Sequence, residues 1–348
     1  MRPAPTLTSA SRILVGRRLL VAFAAMLMLA SLPFPTVGAS ARASGTARVS
    51  ELASFAASGC TGPCGSGSTI GPDGALYVTD GPGGRLLRVD RRTGRVLTIT
   101  DHLPRMLPGV GLGGPIDVAF LGHTPYVLVT LVGPVLGQPD VVAGIYRVAS
   151  DGSPRAVVDL GQWSVAHPPA TDHVVASGLQ YAMEPYGQGF LVTDGHLNRL
   201  LYATVSGRVS EVRAFGNVVP TGLDLIGDRI VMAEAGPVPH RPETGRLITW
   251  RPDHQSPTVL AAGASLLVDV EVADGRLWAL SQGVWDHPDL PENAGLPASP
   301  ETGRLVRADR GRLVPVVSGI DRPTSMELVG KRAYVITMNG KVLRVSLR

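Results

Sequence analysis

The residues best suited to chemistry are oxygen-bearing side chains that recur at equivalent points of a repeated pattern. Near the start of one repeated strand the aligned positions are Gly67, Asp117, Gln180, Gly222, Asp269 and Ser325. Just after the next strand they are Asp80, Leu131, Asp194, Glu234, Gln282 and Met338. Both sets are expected to ring one mouth of a central channel. Of these, Asp117, Asp194, Glu234 and Asp269 are the candidate metal ligands, because carboxylates converging on a point supply the hard oxygen donors that Ca²⁺ takes. Asp80, Gln180 and Gln282 join His196, His240 and Trp285 as candidates for contact with a ligand. Trp163 and Trp285 could stack on a flat or sugar-like molecule, or could instead pin their loops to the body. An aspartate after a strand has a plainer use too, since its side-chain oxygen caps the turn that follows.

No catalytic signature accompanies these residues. The chain contains no GxSxG elbow, no HExxH, no phosphate loop and no CxxC. A serine hydrolase or zinc peptidase is therefore disfavoured. Cys60 and Cys64 are the two cysteines. In an exported protein a short local disulfide is the leading reading, with free thiols or a metal or redox role as the alternatives.

The elements that position these residues are legible as a repeat. A glycine, a basic residue and an apolar pair recur in Gly84-Arg85-Leu86-Leu87, Gly245-Arg246-Leu247-Ile248, Gly303-Arg304-Leu305-Val306 and Gly340-Lys341-Val342-Leu343. Gly144-Ile145-Tyr146 and Asn198-Arg199-Leu200-Leu201 are weaker copies. An apolar strand precedes each copy and ends at Thr79, Thr130, Thr193, Ala233, Ser281 or Thr337, at intervals within the range of propeller blades. A third strand lies upstream, as at Ile116–Phe120 and Thr324–Leu328, and a fourth downstream, as at Val96–Ile99 and Leu313–Val317. Four short strands per unit, six times over, predict an all-β fold, a six-bladed β-propeller with four antiparallel strands per blade. The sixth unit stops after its third strand, and Val49–Phe55 has no blade of its own. Pairing that N-terminal strand into the last blade would complete the blade, close the ring and remove an open edge.

A meander places alternate connections on opposite faces. The long connections, at 101–114, 132–142, 162–176, 235–244 and 283–302, all fall on one face. His102, His167, His173, His196, His240 and His287 fall there too, with His123 and His254 opposite. Insertions gathered on one face of a repeat fold mark its binding face.

Residues 1–43 read as a signal peptide, with Arg12, Arg17 and Arg18 ahead of an apolar stretch from Leu19 to Leu32. Cleavage is expected at Val37-Gly38-Ala39 or Ala39-Ser40-Ala41. That leaves 49–348 as a single propeller domain, exported to the periplasm, cell envelope or medium. The formal charge of +4 in 348 residues lies partly in the leader, and no basic stripe for nucleic acid is present. The expected partner is a small molecule, a glycan or a protein. Nucleic acid is not expected, nor is a membrane once the leader is removed, and the domain is expected to be a monomer.

Three segments carry a family resemblance: Gly71-Pro72-Asp73-Gly74-Ala75-Leu76-Tyr77-Val78, Val219-Pro220-Thr221-Gly222 and Asp194-Gly195-His196-Leu197-Asn198-Arg199-Leu200-Leu201. Together they resemble the ScyD/ScyE family of exported propellers over about 49–348. NHL-repeat and gluconolactonase-like propellers share the Pro-Asp-Gly phrase. Blades 2 and 5 depart from it, with Gly122-His123-Thr124 and Ala273-Asp274-Gly275. The resemblance implies the propeller and says little about chemistry. Two functions follow as expectations: a binding propeller using its long-loop face, or a Ca²⁺-dependent hydrolase resembling lactonases.

Overall fold

The computed structural model describes residues 42–43, 47–55, 64–170, 175–252, 256–288, 293 and 296–347. Most of the leader, Cys60 with its expected bond to Cys64, His173 and His254 lie outside the described residues. Strands β1 (Arg42–Ala43) and β2 (Arg48–Ser54) precede a sheet of β3 (Ser68–Ile70), β4 (Leu76–Asp80), β5 (Arg85–Val89) and β6 (Val96–Thr100). A second sheet holds β7 (Gly114–Leu121), β8 (Thr124–Thr130), β9 (Gly144–Val148) and β10 (Pro154–Asp159). Helix α1 (Leu160–Ala166) leads to a third sheet of β11 (Gln180–Tyr186), β12 (Gly189–Asp194), β13 (Arg199–Thr204) and β14 (Val209–Ala214).

The chain continues through β15 (Pro220–Ile226), β16 (Arg229–Glu234), β17 (Gly245–Trp250) and β18 (Thr258–Ala264). A further meander follows, of β19 (Leu267–Ala273), β20 (Arg276–Ser281), β21 (Gly303–Asp309) and β22 (Arg312–Ile320). The two meanders form one larger sheet, joined at their outer edges by a single parallel pairing of Ala262 with Arg312. Strand β1 adds to the same outer edge on β22. The last sheet holds β23 (Pro323–Val329), β24 (Arg332–Thr337) and β25 (Lys341–Ser346), with β2 antiparallel to β25 as its fourth strand. The fold is thus all-β and propeller-like, built from four-stranded antiparallel meanders.

The alternation of apolar residues dictates this packing. In β12 every residue is buried, because the strand lies inside its sheet and both faces meet neighbouring sheets. Outer strands such as β6 and β14 keep exposed positions. The core is accordingly divided into clusters between adjacent sheets, as where Tyr126 and Leu128 meet Phe190 and Val192. The innermost strands touch in the cyclic order β3, β7, β11, β15, β19, β23 and back to β3.

Hydrogen bonds stitch every junction of that cycle. Gly67 N–H donates to the Ile116 carbonyl at 2.6 Å, and Thr193 Oγ1 to the Thr221 carbonyl at 2.8 Å. Thr221 Oγ1 reaches the Leu267 carbonyl at 2.9 Å, and Thr324 Oγ1 the Ser66 carbonyl at 2.9 Å. Asp117 and Asp269 accept from the Met183 and Met326 amides, each at 2.7 Å.

One connection differs from expectation. The segment after β10, read as loop, opens with α1, whose N-cap Asp159 accepts from Gln162 N–H at 2.8 Å. That bond satisfies one of the amides every helix start leaves unpaired. Among the described residues, no helix is long and apolar enough to cross a membrane.

Candidate functional site

The innermost strands and the connections at one end of them line a cavity of about 590 Å³, the funnel. The connections contribute apolar Leu112, Leu131, Leu179, Val238, Leu296 and Met338 beside polar His196, His240, Gln282, Asp321, Arg322 and Asn339. The funnel wall is acidic. Asp117, Glu184, Asp224, Asp269, Glu271, Asp321 and Glu327 line it, against one guanidinium, Arg322, among the described lining residues.

Strand register sorts the channel carboxylates into two tiers. Asp117 and Asp269 each stand four residues before the residue that closes the hairpin with the next strand, Leu121 and Ala273. Glu184, Asp224, Glu271 and Glu327 each stand two residues before the closing residue, at Tyr186, Ile226, Ala273 and Val329. Side chains two apart share a face of a strand, so both tiers face the channel, the second deeper.

The wiring divides the aspartates from the glutamates, not one tier from the other. Asp117 accepts from Val118 N–H at 2.8 Å as well as from Met183, and Asp269 from Val270 N–H at 2.9 Å as well as from Met326. Asp224 does the same with Leu225 and Val272, each at 2.6 Å. Each of these three carboxylates ties its own strand to the next sheet. Gly67 and Gly222 complete the arrangement. A Cβ on Gly67 would lie 2.2 Å from Asp117 Oδ1, and one on Gly222 2.5 Å from Asp269 Cα. Only glycine lets the neighbouring strand come so close. Glu184, Glu271 and Glu327, by contrast, have no hydrogen-bond or ion-pair partner among the described residues.

Burial raises the affinity of all these groups for protons, since a charged carboxylate is disfavoured away from bulk water. It lifts Asp269 to about 7, against the pull of its two backbone donors and Ser325. Burial also raises Glu184, Glu271 and Glu327 well above the usual carboxylate range, helped by neighbouring carboxylates, Glu327 foremost for Glu271 and Asp269 foremost for Glu327. Asp117 is raised well above that range by burial, and Asp224 is raised for the same reason. His196 and His240 line the funnel as well. Burial lowers both to about 4, aided for His196 by the proximity of His240, so both are neutral at neutral pH.

The expected metal ligands do not come together. Asp117 and Asp269 line the funnel, whereas Asp194 and Glu234 lie outside its lining. Asp194 accepts from Leu179 and Leu197 N–H and from Gln180 Nε2, and stands 3.6 Å from the buried Arg199 guanidinium. Glu234 pairs with Arg246, and Asp80 with Arg85 in the same way. Asp194 and Asp80 are turn-capping carboxylates of the plainer reading, accepting from Leu197 and Gly83 N–H, and all three pair with a basic residue near the start of the following strand. Among the described residues no group of three or more His, Cys, Asp or Glu side chains is disposed to hold a metal ion. The donor set expected for Ca²⁺ therefore does not fit it.

The other candidates divide as well. Gln180 is buried against Thr130 and Asp194, away from the funnel. Gln282 lines the funnel while its Oε1 accepts from Ala298 N–H at 3.0 Å. Trp285 packs with Ala235, Leu266 and Ala298, and donates from Nε1 to the Leu296 carbonyl at 3.2 Å. It therefore pins the long loop, with its edge toward His240. Trp163 stacks on His167 and carries the Arg199 guanidinium over its ring, which anchors α1. Sequence reasoning missed Glu184, Asp224, Glu271 and Glu327. The available signal was four carboxylates at one register inside otherwise apolar strands, as in Val270-Glu271-Val272 and Met326-Glu327-Leu328.

No protein-family model matches the chain, and no curated protein matches it. Solved structures do. A gluconolactonase from Xanthomonas campestris aligns with TM-score 0.58 and 12% identity over 91% of this chain and 98% of its own. The PQQ-bound aldose sugar dehydrogenase of Streptomyces coelicolor gives 0.54 and 13% over 88% and 99%. Virginiamycin B lyase from Staphylococcus aureus gives 0.53 and 12% over 87% and 100%. The chain shares the β-propeller fold with these proteins. At such identity the likeness speaks to fold alone.

Proposed function

We propose that this chain is an exported six-bladed propeller that binds a small molecule in the funnel on its long-loop face. The joined sheet counts as two blades in this reading, because a single pairing links two complete meanders and six innermost strands follow one another in a cycle. Export rests on the leader, and the ScyD/ScyE resemblance is consistent with both. The observation that carries the function is the funnel itself: about 590 Å³, lined by apolar and polar side chains together, within the size of small-molecule sites. A lactonase-like hydrolase using Ca²⁺ has less support, since Asp194 and Glu234 are held by Arg199 and Arg246.

Ala182 lines the funnel and brings no side-chain hydrogen bond, so Ala182→Trp fills the space without removing a partner. A thermal-shift screen of the purified domain against a metabolite library should yield compounds that raise the melting temperature of the native protein. Those shifts should vanish in the variant. Compounds that stabilise a folded Ala182→Trp protein as well as the native one would place binding elsewhere and overturn the reading.

A further inference from the structure

Positive charge gathers away from the funnel, where the last sheet meets the first. Strand register fixes three members of the group. Arg332 on β24 and Arg48 on β2 both pair with Ser346 of β25, so they flank it about 10 Å apart. Tyr334 and Ser50 both pair with Arg344. Paired residues of neighbouring strands share a face, as do residues two apart along a strand. Arg48, Arg332 and Arg344 therefore stand on the face that carries Tyr334. That face is turned to the first sheet, for Tyr334, Ile336 and Val342 pack with Leu76, Val78 and Leu87.

The fourth member comes from the first sheet. The turn between β5 and β6 is pressed on β2, with no room for a Cβ on Gly94 against the Leu52 carbonyl. From that turn Arg91 donates to the Gly74 carbonyl at 2.5 Å and lays its guanidinium over the Tyr334 ring, 5.5 Å from its centre. Positions 48, 91, 332 and 344 are far apart in the chain, so no basic stripe marks this seam in the sequence.

The fold does not neutralise these charges. Arg48, Arg332 and Arg344 have no side-chain hydrogen-bond or ion-pair partner among the described residues, and Arg48 and Arg332 are exposed. The neighbouring carboxylates are engaged elsewhere: Asp73 by Arg88, Glu51 by Lys341 and Asp90 by the amides of its own turn. Glu327, in register with Tyr334, lines the channel, where the strongest charges on it are other carboxylates. Four like charges on one seam repel each other.

We propose that this seam binds a phosphate chain, a linear polymer of phosphate groups that carries no bases. Guanidinium forks match phosphate and carboxylate oxygens in pairs. Here they approach from two sheets, and a tetrahedral phosphate offers oxygens in several directions where a carboxylate offers two in one plane. Single-stranded nucleic acid needs exposed rings for its bases to stack on, whereas Tyr334 and Phe55 at this seam are buried. A flat lipid surface would meet the short turns first, and those carry exposed Asp73, Asp151, Asp228, Asp274 and Asp309. The acidic funnel repels the same polymer, which leaves the seam as the place it settles. None of the four arginines lines the funnel, so this site is independent of the reading above.

The test is calorimetric titration of the full mature protein with long-chain polyphosphate at neutral pH. Four neutralised phosphates, at a slope of about 0.7 each, predict about fiftyfold weaker binding at about 200 mM salt than at about 50 mM. R48Q/R332Q should bind at least tenfold more weakly at the lower salt, with about half that salt slope, and Arg332→Gln by a smaller factor. Both variants should melt with the native protein, because the exchanged side chains had no partners. Ala182→Trp should bind the polymer as the native protein does, so the funnel and the seam fail separately. Unchanged affinity in R48Q/R332Q, or no binding by the native protein at about 50 mM salt, would overturn the proposal. So would tighter binding of polyglutamate, of oligothymidylate or of phosphatidylglycerol vesicles, each of which would assign the seam to a different partner.

Discussion

Replacing Asp269 by asparagine should change how stability depends on pH, not only its size. The ordinary carboxyl value is 3.8, and burial lifts this group to about 7 in the folded chain. A group whose folded value is raised contributes stability that is complete below the unfolded value and lost as pH climbs through the folded one. Roughly three pH units at about 1.4 kcal/mol each give about 4 kcal/mol lost between pH 4 and 7. Water within the funnel screens part of this, so about 2–4 kcal/mol is the expected range. Asparagine removes the titration but leaves a single oxygen where two served Val270 and Met326 N–H, a pH-independent loss of about 1–3 kcal/mol. Asp269→Asn should therefore be clearly less stable than the native protein at pH 4. That deficit should shrink or reverse by pH 8. Urea unfolding at five pH values from 4 to 8 measures it, and subtracting the curves cancels the contribution of His196 and His240. A difference that stays constant within about 1 kcal/mol across that range would show that Asp269 titrates normally, and would refute the argument.

Two further outcomes follow from the same contacts. Asp194→Ala takes the buried carboxylate from beside the Arg199 guanidinium, which keeps Glu211, the His167 carbonyl and Ser164 Oγ, and leaves the Leu179 and Leu197 amides without their acceptor. It should cost about 2–4 kcal/mol in denaturant unfolding, equally in EDTA and in calcium, and a loss seen only in calcium would restore Asp194 as a metal ligand. Deleting residues 48–54 strips the edge partner from β25 and should give oligomers or aggregates by size-exclusion chromatography, whereas a monomer that melts normally would show that β2 is dispensable.

The repeat made the architecture legible because a blade's needs are local: a glycine turn, alternating apolar residues and a small residue at the strand end. Val49–Phe55 could be assigned to the last blade because the sixth unit lacked a strand, and β2 does pair with β25. The site was less legible for a geometric reason. A carboxylate just after a strand and one within it look alike in sequence, yet Asp194 turns to Arg199 while Glu184 faces the channel. Asp117 and Asp269 were found because their positions aligned with Gly67 and Gly222, and those glycines pack on them directly. The deep tier escaped because a bulge near the start of β7, β11, β15, β19 and β23 shifts the register there. Counting from the strand start therefore misaligns what counting back from the hairpin aligns.

The division of labour between the channel aspartates and the channel glutamates bears on how such a protein can diversify. Substituting Asp117, Asp224 or Asp269 loosens the seam between neighbouring sheets, so drift there is checked by folding. Exchanging Glu184, Glu271 or Glu327 for another side chain breaks no seam. A lineage could change the charge of its channel at three positions while the sheets around them stay as they are.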